Sequence, residues 1–200
     1  MKGEEESVLE RKKKWISDQL QNNKFKAFLA IQILLEAALL IEFVLLSYGA
    51  FKIIRYTVLL AGLFIIAWID GHEKRIPNSI LKVFFFIRMF LLAAECVFAV
   101  KMGLPLLLSS VLGLLTGGIL FLLVYFLSRG GVGMGDVKLM GVVGSYVGIG
   151  GIMPTVFLTV MVSAIYSIIL LLLKKIGWKE EIPFAPFVLA GTVLAMALGI

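Results

Sequence analysis

The stretch LPLLLSSVLGLLTGGILFLLVYFL, residues 104–127, contains no charged side chain and nothing that would stop a helix beyond Pro105. A helix of about 20 apolar residues crosses a hydrocarbon core of roughly 30 Å, so this run reads as a membrane span. Comparable apolar runs lie on both sides of it, at 27–46, 53–69, 80–100, 137–150, 152–173 and 187–200. The expected fold is all-α, a polytopic membrane bundle of six to seven transmembrane helices. The count turns on 137–150 and 187–200, which are short for full crossings and suit partial spans sheltered by neighbours.

The whole chain agrees with that reading. Of its 200 residues 60% are hydrophobic and the mean hydropathy is +1.03, against roughly 45–50% apolar residues in a soluble domain. After six or seven spans no length remains for a separate soluble catalytic domain. Residues 1–26 form the one long polar segment, with Arg11, Lys12, Lys13 and Lys14 followed by Trp15. No short apolar stretch with a small-residue cleavage site follows those charges, so the segment is expected to be a retained cytosolic one. It is either a polar tail that orients the first span or an amphipathic helix lying on the membrane. The chain thus divides into a cytosolic basic segment, 1–26, and a transmembrane domain, 27–200.

Charge placement orients the spans. With the N-terminus in the cytosol, fifteen of the nineteen lysines and arginines fall on the cytosolic side. Lys52, Arg55 and Lys101 fall on the other, and Arg88 lies inside a span. This is a strong positive-inside bias. It accounts for the net charge of +6 through the lipid bilayer, with no nucleic-acid partner. A single cysteine, Cys96, and a single histidine, His72, exclude an internal disulfide and any multi-cysteine zinc site. No metal and no cofactor is expected.

Two polar loops on the cytosolic side carry the chemistry. The first reads Trp68-Ile69-Asp70-Gly71-His72-Glu73-Lys74-Arg75-Ile76-Pro77-Asn78. Here a span ends in a carboxylate, and Asn78 is a good N-cap for the helix after Pro77. The second reads Arg129-Gly130-Gly131-Val132-Gly133-Met134-Gly135-Asp136-Val137-Lys138-Leu139. Its glycines permit positive φ and close backbone approach, so the loop, Gly133 and Gly135 above all, can receive an extended peptide. Asp136 opens a helix, whose N-terminus favours an anion. The lysine and hydroxyl of a phosphate-binding loop are missing, which disfavours nucleotides. Two carboxylates, Asp70 and Asp136, therefore sit at one membrane face. Held close in a low-dielectric site they cannot both ionise, and sharing one proton gives the base and the acid of an aspartyl protease.

An aspartate shortly before Ile76-Pro77-Asn78, followed some sixty residues later by Gly133-Met134-Gly135-Asp136-Val137-Lys138-Leu139, resembles the type IV prepilin peptidase family of GxGD membrane proteases. Pro183-Phe184-Ala185-Pro186-Phe187 resembles that family's late proline-aromatic segment. The resemblance implies that Asp70 and Asp136, without a metal, remove a basic leader from type IV pilin-like precursors at the cytosolic face of the inner membrane, commonly just after a glycine. Larger members carry a cysteine-containing N-terminal insertion and also N-methylate the product. That insertion is absent here, so a peptidase-only enzyme is expected. The acidic residues Glu73, Glu180 and Glu181 are candidates to hold the basic leader.

Other residues admit two readings. His72 and Glu73 either tune Asp70 or are solvated loop residues. Lys138 either stabilises a carboxylate or oxyanion, or anchors the cytosolic face. Arg88 and Glu95, seven apart and so on one helix face, are either a structural ion pair or a channel lining. Gly113, Gly117 and Gly118 form a small-residue face for close helix packing. Two rival functions also use membrane carboxylates: a transporter, and a catalytically silent component of a pilus or secretion assembly. The aspartates sit at loop-helix junctions rather than at mid-membrane, against the first, and both are intact, against the second.

Overall fold

The structure, a computed structural model, describes residues 22–98, 100–128, 131–174 and 182–200. The described residues form six helices: α1 (Asn23–Leu45), α2 (Ala50–Glu73), α3 (Asn78–Phe98), α4 (Val100–Leu127), α5 (Met134–Leu172) and α6 (Ala185–Ala197). Four of them, α1, α2, α4 from Gly103 onward, and α5, are long and apolar enough to cross a membrane. α3 has comparable length but carries Lys82, Arg88 and Glu95. The chain is an all-helical, multi-pass membrane protein. The basic segment expected at 1–26 lies, up to residue 21, outside the described residues.

Two compact units divide at Ile41 and Glu42. In the first, Gln32 donates to Glu36 along α1 at 2.8 Å. The second, residues 42–200, is a bundle in which α5 lies against α4 and α6, and α2 against α6. Its core is built from Leu59, Leu63 and Ile66 of α2, Leu139, Met140 and Val143 of α5, and Val188 of α6, each essentially inaccessible. Phe86, Phe90, Phe126 and Phe157 point outward, the inversion expected when the surroundings are lipid.

The expected spans at 137–150 and 152–173 are the two helical arms of α5, which meet at a break at Gly148. α5 runs 39 residues and is interrupted at Gly148, where φ is 76° and ψ −179°. At about 1.5 Å per residue an unbroken helix of that length would far exceed one crossing. Gly148 takes a left-handed conformation that a Cβ disfavours, and a Cβ there would also run into Ser109 Oγ. Ser109 Oγ accepts from the Ile149 N–H at 3.3 Å, so the break does not leave that donor unpaired in a water-poor setting. The small-residue face of α4 packs as expected. A Cβ on Gly113 would strike the Gly144 carbonyl, and one on Gly117 the Met140 carbonyl, so the two backbones touch.

Candidate active site

α2 is amphipathic at its start and buried on nearly every side from Leu63 to Asp70, so its last turns carry a carboxylate into the protein. Asp70 is only 4% exposed. It lies near the C-terminal end of its own helix, where aligned peptide dipoles disfavour an anion. The compensation comes from another helix. Asp70 Oδ2 accepts from the Ala185 N–H at 2.8 Å, and the Phe184 N–H also donates to the carboxylate. The local sequence explains why a donor is free there. Pro186 has no N–H, and the Phe187 N–H returns to the Phe184 carbonyl at 3.0 Å. The first turn of α6 therefore presents Ala185 as its orphan donor, which Asp70 takes.

Asp136 is held by its own helix. It occupies the third position of α5 and reaches back to the N-cap residue, where its Oδ2 accepts from the Gly133 N–H at 3.1 Å. This is half of a capping box, since Gly133 has no side chain to reciprocate. Asp70 and Asp136 are within Coulombic reach of one another. Among the described residues neither has an ion-pair partner. The site is two carboxylates at one end of the bundle, held by neutral backbone donors and, among the described residues, without a counter-cation.

One side chain read as a site residue, Lys138, links the two loops. Its Nζ donates to Asn78 Oδ1 at 2.9 Å, which ties the start of α5 to the start of α3. Asn78 does not cap α3 as its type suggested: the Ile80 and Leu81 N–H groups go to the Pro77 carbonyl, leaving the Asn78 side chain free to accept from Lys138. A Cβ on Gly135 would lie 3.2 Å from Ile76 Cβ, and one on Gly133 would lie 3.3 Å from Asp136 Oδ2. Neither glycine uses positive φ, contrary to expectation; Gly133 has ordinary extended backbone, with φ −72°. Their smallness gives Ile76 and the Asp136 carboxylate room.

Glu73 is exposed and pairs with Arg75 at 2.9 Å. His72 packs tilted against Trp68, with ring centroids 4.2 Å apart, and its Nδ1 lies 2.9 Å from the Trp68 carbonyl. The other two expected leader-binding residues, Glu180 and Glu181, lie outside the described residues, as do Arg129 and Gly130. Sequence reasoning missed the main-chain donors of Phe184 and Ala185. The two prolines that bracket them are the signal that marks a donor-poor helix start. Ile76 carried no comparable signal.

Residues 57–168 match the sequence model of the type IV leader peptidase family. The prepilin leader peptidase/N-methyltransferase of Bacillus subtilis (strain 168) is 32% identical over 142 residues, which cover 71% of this chain and 54% of that protein. The chain spans about half the length of the curated relative it matches. No solved structure matches. With two motif aspartates brought together at one end of a helical membrane bundle, the chain belongs to the type IV leader peptidase family.

Proposed function

We propose that this chain is an aspartyl endopeptidase that removes the basic leader from type IV pilin-like precursors, with Asp70 and Asp136 as its catalytic pair. The observation that carries this reading is the placement of the two carboxylates, each anchored by backbone N–H groups, within Coulombic reach of one another and, among the described residues, without a cation. Two carboxylates in that relation hold one proton between them. Asp70, with two backbone donors against one, is the carboxylate better provided for as the anion, and Asp136 carries the shared proton. Asp70 then takes a proton from water as its oxygen attacks the scissile carbonyl carbon, and Asp136 gives its proton to the carbonyl oxygen. Collapse of the gem-diol intermediate breaks the C–N bond: the leaving amine takes a proton from Asp70 while a gem-diol hydroxyl returns its proton to Asp136, which restores the one-proton pair.

Sidedness and substrate follow from the charge bias and the family. Residues 1–26 are the cytosolic basic segment, 27–200 the peptidase domain, and the aspartate end faces the cytosol at the inner membrane. Glu73, Glu180 and Glu181 meet the positive leader there, while Gly133 and Gly135 line the approach of the extended backbone. The test is purified protein in detergent, incubated with a synthetic peptide spanning leader and cut, read by mass spectrometry. A single cleavage at the end of the basic leader supports the reading; an uncut peptide alongside a correctly folded protein overturns it.

A further inference from the structure

The end of the bundle remote from the aspartates contains a cavity of about 390 Å³, within the usual range for small-ligand sites. Lys52 and Arg55 lie near the start of α2 and Asp70 near its finish, so about 22–27 Å of helix axis separates the cavity from the carboxylates. Tyr48, Lys52, Arg55, Tyr56, Ser109 and Thr155 line it.

Among the described residues, side-chain cations at and beside this cavity outnumber side-chain carboxylates. Arg55 and Arg88 share one carboxylate, Glu95, at 3.4 and 3.0 Å. Lys52 has no carboxylate among the described residues; its Nζ sits 3.5 Å from the centroid of the Tyr48 ring and 5.5 Å from that of Tyr56. Arg55 Nε is buried and, among the described residues, has no hydrogen-bond partner. Three cations around one carboxylate, in surroundings of low dielectric, favour an incoming anion. Tyrosines at the ends of membrane helices mark the headgroup level, and a basic pocket between helices at that level is built to hold a phosphate by charge-assisted hydrogen bonds.

We propose that this cavity binds the phosphate of an anionic phospholipid from the leaflet opposite the aspartates, with Lys52 and Arg55 as its donors. Free phosphate offers the same chemistry, so the test separates the two sources. The purified full chain in neutral phosphatidylcholine nanodiscs is compared with nanodiscs containing phosphatidylglycerol, and with phosphatidylcholine nanodiscs plus inorganic phosphate. Retained lipid is counted by native mass spectrometry and the unfolding temperature is recorded. The expected result is one phosphatidylglycerol held in preference to phosphatidylcholine, with a raised unfolding temperature. Lys52→Gln should weaken that binding by about tenfold or more while leaving the Arg55–Glu95 pair in place. Arg55→Lys keeps a cation beside Glu95, loses the planar fork, and should weaken binding as well. Inorganic phosphate giving the full thermal shift with no lipid preference would overturn the lipid assignment. Equal retention of both lipids with no response to phosphate, or phosphatidylglycerol binding that neither variant weakens, would overturn the site itself.

Discussion

Two regions of this membrane protein bury ionisable side chains, and they neutralise them in opposite ways. In the middle of α3, Arg88 is enclosed by Glu95 at 3.0 Å, the Ser145 carbonyl at 2.8 Å and Ser110 Oγ at 3.3 Å, and Ser110 itself donates to the same carbonyl. Tyr146 closes the cluster by donating to the Phe84 carbonyl at 2.9 Å. Charge there meets opposite charge, and the groups are locked by side chains from three helices. At the aspartate end, like charge meets like charge, and only uncharged backbone donors hold it. The first arrangement ties helices together. The second keeps protons exchangeable, because among the described residues no cation fixes either carboxylate as an anion. An ion pair is thus the structural use of buried charge here, and a repelling pair the proposed chemical one.

The same change, carboxylate to amide, should therefore have opposite consequences in the two places. Asp70→Asn and Asp136→Asn should each lower leader cleavage by at least about 100-fold, the scale of a positioned proton-transfer group. Neither should shift the unfolding temperature much, since asparagine keeps an oxygen for the Ala185 or Gly133 N–H. Peptide cleavage measured beside thermal unfolding checks both statements; a variant that stays active removes its aspartate from the pair. Glu95→Gln should instead cost about 3 kcal/mol of stability, because two buried guanidinium groups lose their carboxylate. Adding Arg88→Met should recover part of that loss, as one cation then remains in place of two. Chemical unfolding in detergent gives these differences, and an unchanged Glu95→Gln protein would show that the α3 cluster is not what stabilises the bundle.

Smaller effects sharpen how the aspartate end is positioned. Gly135→Val places its branches against Ile76 and should reduce kcat by about 10- to 100-fold, with a smaller rise in KM, as expected for a displaced catalytic group. A wild-type rate would mean that Asp136 is located by other contacts. Lys138→Ala loses one hydrogen bond, to Asn78, and should cost only about 2- to 10-fold in kcat. A loss as large as that of Asp136→Asn would show instead that the ammonium acts on the reacting groups. Chelators should leave cleavage unchanged, because the reaction is assigned to carboxylates alone; activity removed by chelator and restored by zinc would overturn that assignment.

How much of this was legible beforehand depended on the distance over which each feature is encoded. The Arg88–Glu95 pair was readable, because a separation of seven returns a helix to the same face and an apolar run leaves such groups no partner but each other. Their companions Arg55, Ser110 and Ser145 were not, since they come from three other helices. The glycines of α4 announced a close contact, while the facing Gly144 emerged only from the packing. At Gly133 and Gly135 glycine composition signals either positive φ or lack of room, and the neighbours decide for lack of room.

Composition and hydropathy by themselves determined an all-helical membrane protein with polar loops carrying two aspartates, because lipid leaves the backbone few alternatives to helix and apolar length is read directly from the chain. The tertiary structure alone decided that Ser109 seals the break in α5, and that Asp70 is anchored by a main-chain donor 115 residues away. It also decided that Lys138 serves Asn78. Each of these is a hydrogen bond between distant segments, and a backbone N–H is the same in every residue but proline. Prolines can mark where a helix start has donors to spare, but which carboxylate takes them is decided only when packing places the two together.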